Sequence, residues 1–539
     1  MASLLHDLLV GTLDRDGGVT LQRQLYQAIQ AAILQRRLPV NHKLPSTRAL
    51  AEQLLVSRLT VSLAYDRLLD EGYLYARPGS GTFVADTLPQ VNTGVPAPDT
   101  PDQAPLSARG KAINARFGAV ARAEGAFVGG VSDADLFPFH IWKRLHNRYL
   151  SKRQAHLAGY VDQGGYRPLC EALSAYLYAA RAVRCSPAQV IVTQGTHQSL
   201  DLVAKLLGDP GDTVWVESPC HWGAPVVFSA AGLHCAPLAI DAQGACLPSA
   251  VPAAAPRLAF VTPSHQYPTG NIMSLQRRRD WLAYAQANNL WVVEDDYDSE
   301  FRYDIEPMPS LQGLGGEDRV IYLGTFSKVM FPGLRLSYLV VPEGLAEAFG
   351  KGLIQLYRPG YLSIQAAMAD FIQEGHFARH IRKMRAEYAQ RRSCLQQCLD
   401  EAFGALIGYS AGQAGLHLAV RIGAPGTARK MLAQAPAHGL VLRGGYSVEP
   451  DADDDNLLVL GYGGVKVGEI EAAVQRLRRL YDQVAAGPAP APSCRSRPCR
   501  RNGLRARCST GLPSGACQPA ADARTDTPEN ASSLLPATA

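Results

Sequence analysis

The sequence predicts a two-domain α/β protein in which a small winged helix-turn-helix precedes a large domain built on a mostly parallel sheet. Residues 21–70 hold three amphipathic helical patterns, the second and third short and separated by one turn, and YLYARPGSGTFV follows as a hairpin. Between about 125 and 482, short apolar runs (VIVTQG, TVWVESP, RLAFVTPSH, LWVVEDDYD, RVIYLGTFSK and LSYLVVP) alternate with helical patterns, which argues parallel strands joined by crossover helices.

At 539 residues, 47% of them hydrophobic, the chain has material for more than one core. The expected boundaries are 15–86 for the helix-turn-helix domain, 87–120 for a linker, 121–484 for the large domain and 485–539 for a disordered tail. The linker is read from the Pro-, Asp-, Thr- and Gly-rich stretch DTLPQVNTGVPAPDTPDQAPLSARG, and the tail from GPAPAPSCRSRPCRRNGLRARCSTG. No apolar run is long enough to cross a bilayer, and MASLLHDLLVGTLDRDGG lacks the basic flank and cleavage site of a secretory signal, so a cytoplasmic protein without membrane partners is expected. A net charge of +5 is too small to argue nucleic-acid binding by itself. Four of the eleven cysteines, Cys494, Cys499, Cys508 and Cys517, fall in the tail at spacings that match no common zinc pattern; free thiols and no metal are expected.

In LQRQLYQAIQAAILQRRL, Leu21, Leu25, Ile29 and Ile33 recur every four residues as one apolar stripe. Ser46 caps a helix whose buried face is Leu50, Ala51 and Leu54. After a turn at Val56, Ser57 caps a second helix that carries Val61, Ala64, Leu68 and Leu69. The helix starts present short or cationic donors, Ser46, Thr47 and Arg48 on the first and Ser57, Arg58 and Thr60 on the second, and the hairpin adds Gly81. Phosphates and guanine edges accept from such groups. The string LPSTRALAEQLLVSRLTVSLAYDRLLDEGYLYARPGSGTFVA closely resembles the winged helix-turn-helix of the GntR family of bacterial transcription regulators. That resemblance implies a double-stranded DNA operator as partner.

Three stretches of the large domain carry chemistry at strand ends. VIVTQGTHQSLDLVAKLL runs strand, glycine, helix, so the backbone N–H groups of Gly195, Thr196 and His197 suit a bound phosphate. LWVVEDDYDSEFRYD places Asp295 and Tyr297 after a buried strand, where a carboxylate can keep a heteroaromatic nitrogen protonated. GTFSKVMFPGLRLSY puts Lys328 after another strand, where a partly desolvated amine can lose its proton and condense with an aldehyde; Arg335 follows to neutralise a phosphate.

In this order the motifs closely resemble the fold type I aminotransferases, across roughly residues 125–482. With its N-terminal domain the chain resembles the MocR-type regulators, the branch of the GntR family that fuses a winged helix-turn-helix to an aminotransferase-like domain. The resemblance implies pyridoxal 5′-phosphate as cofactor. It makes Lys328 the covalent anchor, Asp295 the partner of the pyridine nitrogen and Tyr297 the donor to the phenolate oxygen. Thr325, Arg335, Thr196 and the Gly195 backbone would hold the phosphate, with His197 beside them, and His221 would stack on the ring. Tyr160 matches a tyrosine that in such dimers reaches the neighbouring subunit's phosphate, which implies a head-to-tail homodimer.

Two positions depart from the transaminase pattern. Tyr267 replaces an asparagine, and Val459 in NLLVLGYGG stands where the arginine for the substrate carboxylate belongs. Arg443 in VLRGGYSV offers a substitute whose direction the sequence leaves open. The expectation is a regulator that senses pyridoxal phosphate, or its adduct with an amino compound, without a full transamination cycle, in control of vitamin B6 synthesis or amino-compound metabolism. A working aminotransferase carrying a DNA-binding domain, and a cofactor-free dimerisation scaffold, stay open as alternatives.

Overall fold

The computed structural model describes residues 5, 9, 13–15, 17–86, 106–115, 125–160, 163–248, 255–304, 306, 308–449 and 456–486. The chain divides into two compact units, Met1–Ser107 and Ala108–Ala539. The tail from 487 onward, with its four cysteines, and most of the expected linker lie outside the described residues. Part of the linker stretch is helical, over Ala108–Ala115, because the proline punctuation ends at Pro105 and ARGKAINA contains no proline.

In the first unit, helix Leu21–Leu34 buries Leu25, Tyr26, Ile29, Ala32 and Ile33. They share a core with Leu50, Ala51 and Leu54 of helix Thr47–Leu54 and with Val61, Ala64, Tyr65 and Leu68 of helix Arg58–Asp70. Both caps form: Ser46 Oγ accepts from the Ala49 N–H at 3.2 Å and Ser57 Oγ from the Thr60 N–H at 3.0 Å. Leu55 turns the chain between the two helices with a φ of +51°. Strands β1 (Leu74–Arg77) and β2 (Gly81–Val84) pair antiparallel from Leu74↔Val84 to Arg77↔Gly81, and Gly79 and Gly81 supply the positive φ that the hairpin needs.

The second unit is built on an eight-stranded sheet in the order β3-β10-β9-β8-β7-β4-β5-β6. Six of its strands are the apolar runs of the sequence: β3 (Val190–Thr193), β4 (Thr213–Ser218), β7 (Leu258–Val261), β8 (Trp291–Asp295), β9 (Val320–Thr325) and β10 (Ser337–Val340). Strands β5 (His234–Asp241) and β6 (Gly244–Ala245) extend the edge. From β5 through β4, β7 and β8 to β9 the pairing is parallel; β10 runs antiparallel to both its neighbours. Every residue of β3, β7, β9 and β10 is buried, as expected of strands covered on both faces. A second, antiparallel sheet has the order β11-β12-β14-β13, from β11 (Ile407–Tyr409), β12 (His417–Ile422), β13 (Arg443–Gly444) and β14 (Leu457–Gly461). It shares a core with helices His376–Phe403 and Val467–Ala485.

One buried ion pair fixes the end of β8. Arg181, the last residue of helix Arg167–Arg181, donates from Nε to Asp296 Oδ2 at 2.7 Å and from Nη2 to Oδ1 at 3.1 Å. Its Nη1 donates to the Met308 carbonyl at 2.9 Å, and its Nη2 also reaches Ser264 Oγ. Tyr322 of β9 and Ser299 donate to the same carboxylate. Burial alone would raise the acid; Arg181 and these donors hold Asp296 below the ordinary carboxylate range. Arg181→Met leaves that buried charge without its partner, and we expect a loss of about 3–5 kcal/mol in urea unfolding of the large unit. Because the native acid is depressed, the difference between variant and parent should shrink as pH falls through the native Asp296 value.

Candidate functional site

The carboxyl ends of β8 and β9 and the first turn of helix Thr196–Leu207 meet at one place. Lys328, three residues past β9, donates from Nζ to the Gly130 carbonyl at 2.9 Å. Gly130 has a φ of +68°, and a Cβ there would lie 2.7 Å from that amine, so the close approach requires glycine. Burial lowers the Lys328 pKa, against the raising pull of Asp298 and Asp295, which favours the neutral amine. Asp295 closes β8, and its Oδ1 is buried without a hydrogen-bond partner. Burial first and Asp296 second push its acid up to about 8, with Lys328 opposing. A buried carboxylate lacking a donor is a socket for a protonated ring nitrogen, whose charge would restore ionisation.

On another side stand groups that could hold an anion. Gly195 precedes helix Thr196–Leu207 with a φ of +108°, and a Cβ there would lie 2.5 Å from Arg335 Nη2. Arg335 donates to the Gln194 carbonyl at 3.3 Å, which lays its guanidinium against the positive end of the helix. Two like charges so placed call for an anion between them. Thr325 Oγ1 accepts from the Ser327 N–H at 3.2 Å and from Ser337 Oγ at 2.8 Å, so its own proton is available. Thr196 opens the helix; His197 meets Trp222 edge-on at 5.7 Å, its pKa lowered by burial and by Arg335.

His221 lies edge-on to Tyr267 at 5.5 Å, and burial, with Lys328 adding, pushes it down to about 3, so the ring is neutral. The Tyr297 hydroxyl meets His265 Nδ1 at 3.0 Å, and that nitrogen is 3.2 Å from either oxygen of Asp298. His417 packs 4.8 Å from the His265 ring and donates from Nε2 to the Pro268 carbonyl at 3.1 Å. His265, Asp298 and His417 form a buried cluster whose atoms could ligate a metal. Nδ1 of His265 and Nε2 of His417 are engaged by protein partners, however, and the geometry is that of a network orienting Tyr297. Sequence reasoning missed this trio and Gly129–Gly130; the histidine of TPSHQYPTG and the last acid of EDDYD were the available signals.

Of the expected residues, Tyr160 alone stands apart, 73% exposed and without a described contact to this cluster. Val459 is buried in β14, and directly across the strand pair stands Arg443 of β13. A Cβ built on Gly129 would find Val459 Cγ1 at 3.7 Å, Arg443 Cγ at 3.8 Å and Tyr267 Oη at 3.9 Å, so Arg443 faces the site.

On the first unit, Arg48 and Arg58 are exposed, and Arg48 pairs only loosely with Glu52 at 3.6 Å. Ser57 and Thr60 share a hydroxyl contact at 2.8 Å beside the second cap, while Ser46 is exposed and Thr47 half-buried. Two cations not anticipated from sequence lie at the hairpin: Lys43, from the segment before helix Thr47–Leu54, lies against Gly81, and Arg77 of the hairpin itself covers the Tyr75 and Phe83 rings at 5.2 Å.

Residues 130–453 match the family model of aminotransferase class I and II, and residues 21–84 match that of bacterial regulatory proteins of the gntR family. The chain is 42% identical to a probable rhizopine catabolism regulatory protein, MocR, of Rhizobium meliloti, over 70% of this chain and 77% of that one. It is 31% identical to the pyridoxine biosynthesis regulator PdxR of Corynebacterium glutamicum, over 71% and 79% of the two chains. The α-aminoadipate aminotransferase LysN of Thermus thermophilus, solved with N-(5′-phosphopyridoxyl)-L-leucine, superposes with a TM-score of 0.62 at 27% identity, over 68% of this chain and 94% of that one.

The geometry around Gly195 is testable with inorganic phosphate as probe. Gly195→Ala sets a methyl on the Arg335 guanidinium, and we expect it to need about tenfold more phosphate than the parent for the same rise in thermal unfolding midpoint.

Proposed function

The chain belongs to the MocR-type transcription regulators, in which a gntR-family helix-turn-helix is joined to an aminotransferase-like domain, and on that premise we propose that its large unit binds pyridoxal 5′-phosphate to sense it, or an amino compound that reaches it. The observation that carries this reading is the pairing of a partnerless buried acid, Asp295, with a buried lysine of lowered pKa, Lys328. The donor set fits the group. Asp295 would accept from its ring nitrogen, Tyr297 would donate to its phenolate oxygen, and Arg335, Thr325, Thr196 and the Gly195 turn would hold its phosphate. When bound, that cofactor supplies an aldehyde for amines and an electron-withdrawing ring. Lys328 presents an amine whose pKa burial lowers, fixed by the Gly130 carbonyl, and His221 stays uncharged beside it.

Sensing is favoured over turnover by Val459. A transaminase binds its amino acid through a guanidinium at that place, and an apolar side chain there forfeits a bidentate charged contact. The exposed Tyr160 is proposed to reach the partner's phosphate in a head-to-tail homodimer. The names of the relatives refer to rhizopine catabolism and pyridoxine biosynthesis; genes of amino-compound or vitamin B6 metabolism are the targets we propose. No helix among the described residues is long and apolar enough to cross a membrane.

Two experiments test this function. Protein loaded with pyridoxal phosphate is expected to show a visible absorption band that Lys328→Ala abolishes, without sustained transamination of an amino donor and a keto acid; a band that survives the substitution removes Lys328 as the anchor, and steady multiple turnover removes the sensing reading. Arg58→Ala, at the exposed start of helix Arg58–Asp70, is expected to weaken binding to the DNA upstream of its own gene by about tenfold at fixed salt, with the band intact.

A further inference from the structure

We propose that Leu59 and Leu63 read thymine in the operator, by packing against its methyl groups in the major groove; this rests on the DNA-binding reading above and is independent of the cofactor. Helix Arg58–Asp70 turns Val61, Ala64, Tyr65 and Leu68 into the core of the first unit. Leu59 is 67% exposed and Leu63, one turn on, 40%, and neither joins that core. One exposed leucine needs no explanation. Two at i and i+4 make an apolar strip on the outward face of the helix that begins at the exposed Arg58.

Charge decides which part of that face meets DNA. Arg58 opens the helix and no acid stands in its first turn, while Asp66 and Asp70 lie further along and Glu71 caps its end. Phosphates favour the first part and are repelled by the second, so the two opening turns face the duplex, and Leu59 and Leu63 lie on them. The hydroxyls of this stretch are engaged locally: Ser57 and Thr60 meet at 2.8 Å, and Ser62 Oγ donates to Asp66 Oδ2 at 3.5 Å. A base edge that approaches the two leucines therefore meets an apolar surface. Among the four bases only thymine carries a methyl group on its major-groove edge. Packing the leucines on it removes apolar area from both partners, whereas a cytosine or purine edge there would leave its donors or acceptors facing leucine without a partner.

The test uses the full chain and two versions of the DNA upstream of its own gene, one synthesised with thymine and one with uracil throughout, which lacks only the methyl groups. At fixed salt the parent is expected to bind the thymine fragment about tenfold more tightly than the uracil fragment. The double variant Leu59→Ala, Leu63→Ala should lose that preference: it binds the thymine fragment about tenfold more weakly than the parent does, and the uracil fragment nearly as tightly, which also reports an intact fold. Equal binding of both fragments by the parent, or an undiminished thymine preference in the double variant, overturns the inference; the placing of the helix on DNA then still stands if Arg58→Ala weakens binding. A changed oligomeric state in the double variant with the thymine preference intact assigns the leucines to a second copy of the chain and overturns it as well. Were the parent to bind neither fragment more tightly than unrelated DNA of the same length, this inference and the DNA reading beneath it would both fall.

Discussion

The buried pair of Arg181 and Asp296 is the constraint on which the site depends. Desolvating two charges costs several kcal/mol each, and the pair survives because the guanidinium also reaches Ser264 and the Met308 carbonyl while the carboxylate accepts from Tyr322 and Ser299. Those partners come from separate segments: the loop after β7, the end of β8, strand β9 and the chain near residue 308. Successive residues of an extended chain point to opposite sides, so anchoring Asp296 toward Arg181 turns Asp295 the other way, toward Lys328. The ion pair acts less as a source of net stability than as a register pin for the acid beside it.

Asp295 and Asp296 show how partners, not burial, separate structural from functional acids. Both are buried, yet Asp296 titrates below its usual range while Asp295 is pushed up to about 8. Glu217, Glu294 and Glu300 are also pushed up to about 7 by burial, but each has hydrogen-bond donors on its carboxylate. Glu300 also keeps one oxygen bare, but among the described residues only Asp295 combines burial, a bare oxygen and a nearby amine. Two guanidinium groups, Arg335 and Arg443, act on the same lysine, and on the proposed reading a ligand rich in anionic groups answers them.

What the sequence made legible is what short-range rules decide. Ser46 and Ser57 could be read as caps because a cap is a contact three residues long, and the buried strands because a run such as VIYLGT has no polar face to hide. Lys328, Asp295 and Gly195 could be read because each ends or follows such a strand. The direction of Arg443 could not, since it is set by the register of β13 against β14, and two-residue strands leave no periodicity to find. The His265, Asp298 and His417 network gathers three distant segments, and Arg181 looks in sequence like any cation in the last turn of a helix. The helix at Ala108–Ala115 was hidden by the prolines that precede it.

Moving a cation from one strand to its neighbour has a geometric consequence. Adjacent strands lie roughly 4.8 Å apart, so the Cα of Arg443 stands about one strand spacing from that of Val459, where an arginine would hold a substrate carboxylate. Catalysis of proton transfer at an amine's carbon requires alignment to within a fraction of that distance. On the proposed reading, an amine that reaches Lys328 without a cation at position 459 would bind with its reacting carbon off the line that turnover needs.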